Sequence, residues 1–183
     1  MNTKLIVRVT FFFTIWIFMF LSNPLMYACT GFMMSDGENV LVGNNEDYKI
    51  PYTRVWFLPS EYGRYGRVFF GYDNWSPQGG MNDEGLFFDY AALPLLARYS
   101  PPVKKVYPGS LVEKAMEECA SIDEVIKLFD SYDRQFMATY QLMFADKFGN
   151  AVIVESDTLI LKNGDYQICT NFRKSLGKEN PYS

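Results

Sequence analysis

Histidine is absent from the sequence. That excludes a Ser-His-Asp triad, a papain-like Cys-His pair and the usual His-rich zinc sites. Cysteine is scarce, with three residues at Cys29, Cys119 and Cys169. An odd count in an exported protein leaves at least one thiol unpaired, and Cys29 is the expected free one. Cys119 and Cys169 leave two arrangements open, a bridge or two buried thiols. Positive charge is the minority sign, 17 Lys and Arg against 21 Asp and Glu. No basic face for phosphates is expected, so nucleic acid is not an expected partner. An apolar run of membrane-spanning length is also missing, since Val9 to Leu21 falls short of the roughly 20 residues a spanning helix needs. Internal repeats and low-complexity tracts are absent as well.

What is present begins with Lys4 and Arg8, the apolar run, the breaker Asn23-Pro24, and Ala28 immediately before Cys29. This order predicts a cleaved signal peptide over residues 1–28 and export to the periplasm or the exterior. Two other readings stand beside it. The segment is an uncleaved anchor, or Leu25-Met26-Tyr27-Ala28-Cys29 is a lipoprotein cleavage site and Cys29 carries lipid. Only in those cases is a membrane a partner. Removing 28 of 183 residues leaves 155, a suitable size for one domain with a sizeable core over residues 29–183. Lys4 and Arg8 leave with the signal, so 15 basic side chains face 21 acidic ones, a net of −6 before the termini.

Segments rich in β-branched and aromatic residues predict strands at Cys29 to Met34, Asn39 to Gly43, Arg54 to Leu58 and Arg67 to Tyr72. Gly79-Gly80-Met81-Asn82-Asp83-Glu84-Gly85 is read as a tight turn feeding a further strand, Leu86 to Ala91. Ser110 with Glu113 and Ser121 with Glu124 fit capping boxes, each followed by apolar residues at helical spacing. Pro101, Pro102 and Pro108 mark the connection before them. Tyr140 to Ala145, Ala151 to Glu155, Thr158 to Leu161 and Tyr166 to Thr170 complete a second group of strands. Strands, a helical pair and strands again indicate a layered α+β domain rather than alternating βαβ units.

A nucleophile at the chain terminus needs no histidine, because its own α-amine, with a reference pKa of roughly 8, serves as base. Cleavage before Cys29 would place thiol and amine on one residue. Attack on a carbonyl then requires a group to orient the amine and a donor for the oxyanion. Asp47, in Gly43-Asn44-Asn45-Glu46-Asp47, is the candidate orienter, and Asn171, after Thr170, is the candidate oxyanion donor. Both residue types also serve as plain turn or capping residues.

Five segments occur in one order: Cys29-Thr30-Gly31, Gly43 to Asp47, Gly80 to Leu86, Ala145-Asp146-Lys147 with Val152 to Glu155, and Thr170-Asn171. Together the set resembles the choloylglycine hydrolase family of N-terminal-nucleophile amidases, which includes bile salt hydrolases and penicillin V acylases, and the related acyltransferases of the penicillin nucleus. The resemblance implies a four-layer αββα fold, here incomplete. It implies Cys29 as nucleophile and base, Asp47 on the α-amine and Asn171 at the oxyanion. Asn44, Asn82 and Tyr90, in or beside these motifs, are the candidate substrate contacts. No metal or cofactor is expected, and the expected partner is a small acylated amide.

Departures from the family pattern are specific. An arginine of the asparagine-rich loop is Asn44 here. The position that usually carries an oxyanion Asn or Tyr is Ala92; Tyr90, two residues away and on the same side of an alternating strand, is the candidate substitute. The chain is about half the family's usual length, so it is either a fragment of a longer reading frame or a reduced form; if reduced, the second sheet would lack strands, and exposed edges would favour misfolding or association, a homo-oligomer included. The expected reaction is hydrolysis of a linear amide through an acyl-enzyme. Interception by a second amine would make it an acyltransferase, and acylation of the Cys29 amine would leave an inactive surface or binding protein.

Overall fold

A computed structural model of the chain describes residues 29–49, 51–95 and 104–179. The predicted signal segment, Pro101, Pro102 and residues 180–183 lie outside the described residues.

Side-chain alternation builds two antiparallel sheets. The first contains β1 (Thr30–Ser35) flanked by β2 (Val40–Asn45) and β10 (Tyr166–Thr170). The second runs in chain order through β3 (Thr53–Leu58), β4 (Arg67–Tyr72), β5 (Pro77–Asn82), β6 (Phe87–Ala92), β7 (Tyr140–Ala145), β8 (Ala151–Val154) and β9 (Leu159–Leu161). Between β6 and β7 come helices α1 (Leu111–Glu118) and α2 (Ile122–Asp130). Their starts follow the sequence signals. The Ser110 hydroxyl accepts from the Glu113 N–H, and at Ser121 the box is reciprocal, with Glu124 accepting from the Ser121 N–H at 3.1 Å.

Strand β5 corrects the sequence reading, which placed a turn from Gly79. Gly79 and Gly80 lie inside the strand, and the turn is confined to the stretch between Asn82 and Leu86. The glycines answer to crowding. A Cβ on Gly79 would lie 2.1 Å from the Phe70 ring, and one on Gly80 would lie 2.4 Å from the Val68 carbonyl oxygen.

Strand β6 faces two cores. Phe88 turns toward the helices and packs with Phe144, Phe129, Met116 and Val125. Phe87 and Ala91 turn toward the three-stranded sheet and pack with Met33, Met143, Ile153 and Cys169. Each large apolar side chain buried here contributes roughly 1.5–3 kcal/mol. Helices, large sheet and small sheet form three of the four expected layers among the described residues. The outer face of the small sheet leaves Met34, Leu41, Tyr166 and Ile168 exposed.

All three cysteines are free thiols. Cys119 belongs to the core under the helices and Cys169 to the core between the sheets. Opposite faces of one sheet hold them, so the bridged alternative does not occur.

Candidate active site

Strand register assembles the site. Thr30 opens β1 opposite Thr170 of β10 and Asn45 of β2. The residues one step beyond that rung are Cys29, Asn171 and Glu46, so three separate stretches of chain present side chains at one end of the small sheet.

Cys29 is 8 % exposed. Its thiol donates to Glu46 Oε2 at 3.5 Å. Burial pushes the thiol above its ordinary pKa, and the Glu46 charge pushes the same way; hydrogen bonds from the Asp47 main-chain N–H and the Asn171 side chain pull it back. Asp47 itself is exposed, and the group it presents to the sulfur is its main-chain N–H.

Asn171 is held on two sides. Its Nδ2 donates to the Ala92 carbonyl at 2.8 Å, which fixes the amide plane and leaves the second N–H toward the sulfur. Gln141 Nε2 donates to the carbonyls of Thr170 and Phe172, 2.6 and 3.1 Å away, clamping the chain either side of Asn171. Buried Glu155 then accepts from the main-chain N–H of Lys174 and Ser175, and from the Ser175 hydroxyl. The segment after β10 is therefore set by buried polar partners.

Beneath the thiol lies a second carboxyl. Asp89, on the inner face of β6, is 3 % exposed. Asn44 Nδ2 bridges the pair, donating to Asp89 Oδ1 at 3.2 Å and Glu46 Oε1 at 3.4 Å. Glu46 and Asp89 also share a hydrogen bond. Burial, with the Glu46 charge added, pushes Asp89 up to about 8, so it is the protonated partner at neutral pH. Burial raises Glu46 as well. Gly31 makes room for this arrangement, since a Cβ there would lie 2.7 Å from Asp89 Oδ2.

Residues 33–182 match the family model described as acyl-coenzyme A:6-aminopenicillanic acid acyl-transferase. The chain belongs to that acyltransferase family. Solved structures agree on the fold. Penicillin V acylase from Agrobacterium tumefaciens is similar at 17% identity and TM-score 0.52, over 78% of this chain and 49% of that one. A variant of conjugated bile acid hydrolase from Clostridium perfringens is similar at 20% identity and TM-score 0.55, over 75% of this chain and 52% of that one. The chain thus spans about half the length of these structures. No curated protein matches it. The fold expected from the resemblance, that of the N-terminal-nucleophile hydrolases, is the one the acyltransferase-family chain adopts.

Two candidate substrate contacts lie elsewhere. Asn82 is 4 % exposed, and its Nδ2 donates to the carbonyls of Met116 and Cys119 at 3.1 and 2.8 Å while its Oδ1 accepts from the Leu86 N–H at 2.9 Å. It ties the β5–β6 turn to the end of α1 on the helix side of the sheet. Tyr90 also faces the helix side, edge-on to Phe88 and Tyr140. Because strand side chains alternate, Asp89 and Ala91 hold the face toward Cys29, and Tyr90 does not substitute at the oxyanion position. Ala92 takes part through its carbonyl, as the acceptor for Asn171.

Glu46, Asp89 and Gln141 escaped the sequence reading as site residues. An aspartate inside the apolar stretch Phe87-Phe88-Asp89-Tyr90-Ala91 was the available signal, because a buried carboxyl in a strand core requires a partner. Gln141 carried none, since its role depends on which strands become neighbours.

Proposed function

We propose that the chain is an exported amidase that cleaves linear amide C–N bonds through a Cys29 acyl-enzyme. The observation that carries this reading is the junction of Cys29 with the Asn171 amide and the Asp47 N–H at the head of β1. In the encoded chain the Cys29 nitrogen is an amide bonded to Ala28, so the base appears only when residues 1–28 are removed. The freed amine, oriented by the Asp47 carboxylate, takes the thiol proton. Sulfur attacks the substrate carbonyl, and the oxyanion receives the second Asn171 N–H. The amine then protonates the departing nitrogen, and water releases the acid. Membership of a family described by an acyl-transferase supports a second reading, in which an amine replaces water in the last step.

The test is the intact mass and N-terminal residue of protein recovered from the exporting cell, followed by an amide panel against that protein and Cys29→Ala. A chain starting at unmodified Cys29 that hydrolyses an amide, with no turnover in the variant, supports the reading. Retained leader residues, or lipid mass on Cys29, would overturn it. Adding an amine acceptor separates transfer from hydrolysis.

A further inference from the structure

We propose that the cavity beside Cys29, walled by Glu46, Tyr48, Phe70 and Tyr72, is a subsite for a small positively charged group, an alkylammonium carried by the substrate. The proposal rests on the reading of Cys29 as nucleophile and adds the substrate's charge class.

The cavity has a volume of about 150 Å³. Whole-ligand pockets run to roughly 300–1,000 Å³, so this one fits a single substituent. Its composition is one-sided. Glu46 is the only charged side chain among the lining residues, and Tyr48, Phe70 and Tyr72 supply three aromatic rings. Tyr48 and Tyr72 stack with ring centroids 4.3 Å apart, giving a rigid aromatic wall. A carboxylate beside aromatic faces attracts a desolvated ammonium by charge and by the ring quadrupole together, and repels a carboxylate or sulfonate.

Position ties the cavity to the chemistry. Glu46 lines it with the same carboxylate that accepts from the Cys29 thiol at 3.5 Å. Tyr72 senses both groups, its phenol being pushed up to about 12 by burial first and then by the charges of Glu46 and Cys29. A cation seated here would share the Glu46 carboxylate with the Cys29 thiol.

Thiol labelling tests this without requiring turnover. The purified protein is treated with methanethiosulfonates bearing trimethylammonium-ethyl, methyl or sulfonatoethyl groups, and modification of Cys29 is followed by peptide mass. The expected result is that the cationic reagent outpaces the methyl one by about tenfold, within the range of a desolvated cation–aromatic contact. In Glu46→Gln the preference should fall to near one, and in Tyr72→Leu, which keeps the charge, it should fall severalfold. Ratios cancel any change in thiol reactivity. Tetramethylammonium chloride should also slow methyl labelling of the unsubstituted protein more than sodium chloride at equal ionic strength. Equal preference in the native protein and Glu46→Gln, or no protection by tetramethylammonium, would overturn the proposal. Loss in Glu46→Gln with Tyr72→Leu unchanged would reduce it to bare surface charge and overturn the aromatic subsite. Charge selectivity without amide hydrolysis would count against the amidase reading alone.

Discussion

The Cys29 thiol and the Glu46 carboxylate stand 3.5 Å apart, with the thiol as donor. A negative neighbour works against thiolate formation, and the Asp47 N–H and Asn171 amide work for it. Glu46→Gln removes the charge and keeps the size. The pH profile for alkylation of Cys29 should then move to lower pH, read from iodoacetamide rates between pH 6 and 10. A profile that stays put would show that burial alone sets the thiol.

Asp89 makes stability depend on pH in a stated direction. Its folded pKa of about 8 lies above the unfolded value of 3.8. The folded chain therefore holds one more proton than the unfolded chain between those values, and stability falls as pH rises through that window. Stability from this group is full below about pH 4 and lost above about pH 8. Burial raises Glu46 too, which adds in the same sense. Asp89→Asn should flatten the dependence, raising the urea midpoint at pH 8 relative to pH 5. A steeper slope in the variant would contradict the assignment.

Asn171→Ala removes the proposed oxyanion donor and frees the Ala92 carbonyl. Turnover should drop by roughly 10²–10³, while stability should fall by only about 1 kcal/mol for the lost hydrogen bond. Denaturant melts run beside the kinetics separate the two. A loss of activity that tracks the unfolded fraction would make Asn171 a structural residue.

Asn82→Ala should do the reverse. Three buried hydrogen-bonding groups lose their partner, at a cost of about 1–3 kcal/mol, yet Asn82 sits on the helix side of the large sheet. The Cys29 labelling rate in the folded variant should match that of the native chain. A changed rate would place Asn82 back in the site.

Much of the layered α+β plan was legible because its signals are local. Both helices announce themselves through Ser110 and Ser121, and β6 to β8 through runs of aromatic and β-branched residues. Strand β5 was not legible, because glycine reads as a turn until the Phe70 ring and the Val68 carbonyl are known to crowd it. The site divided along the same line. Cys29 and Asn171 flank strand ends and could be placed from order alone. Tyr90 does share the side of Ala92, but period-2 alternation gives relative sides only, and that side meets the helices rather than Cys29. Asp89 and Gln141 depend on contacts 45 and 31 residues distant, with Asn44 and Phe172.

The pairing of Thr30 with both Thr170 and Asn45 makes the site a matter of alignment across a ladder. A slip of one residue between β1 and β10 displaces Asn171 by about 3.4 Å and turns every β10 side chain to the opposite face. The four residues Lys162–Asp165 that lead into β10 therefore act as a vernier on the proposed chemistry. A single insertion or deletion that the loop fails to absorb takes Asn171, the proposed oxyanion donor, away from the sulfur with every proposed catalytic side chain still encoded.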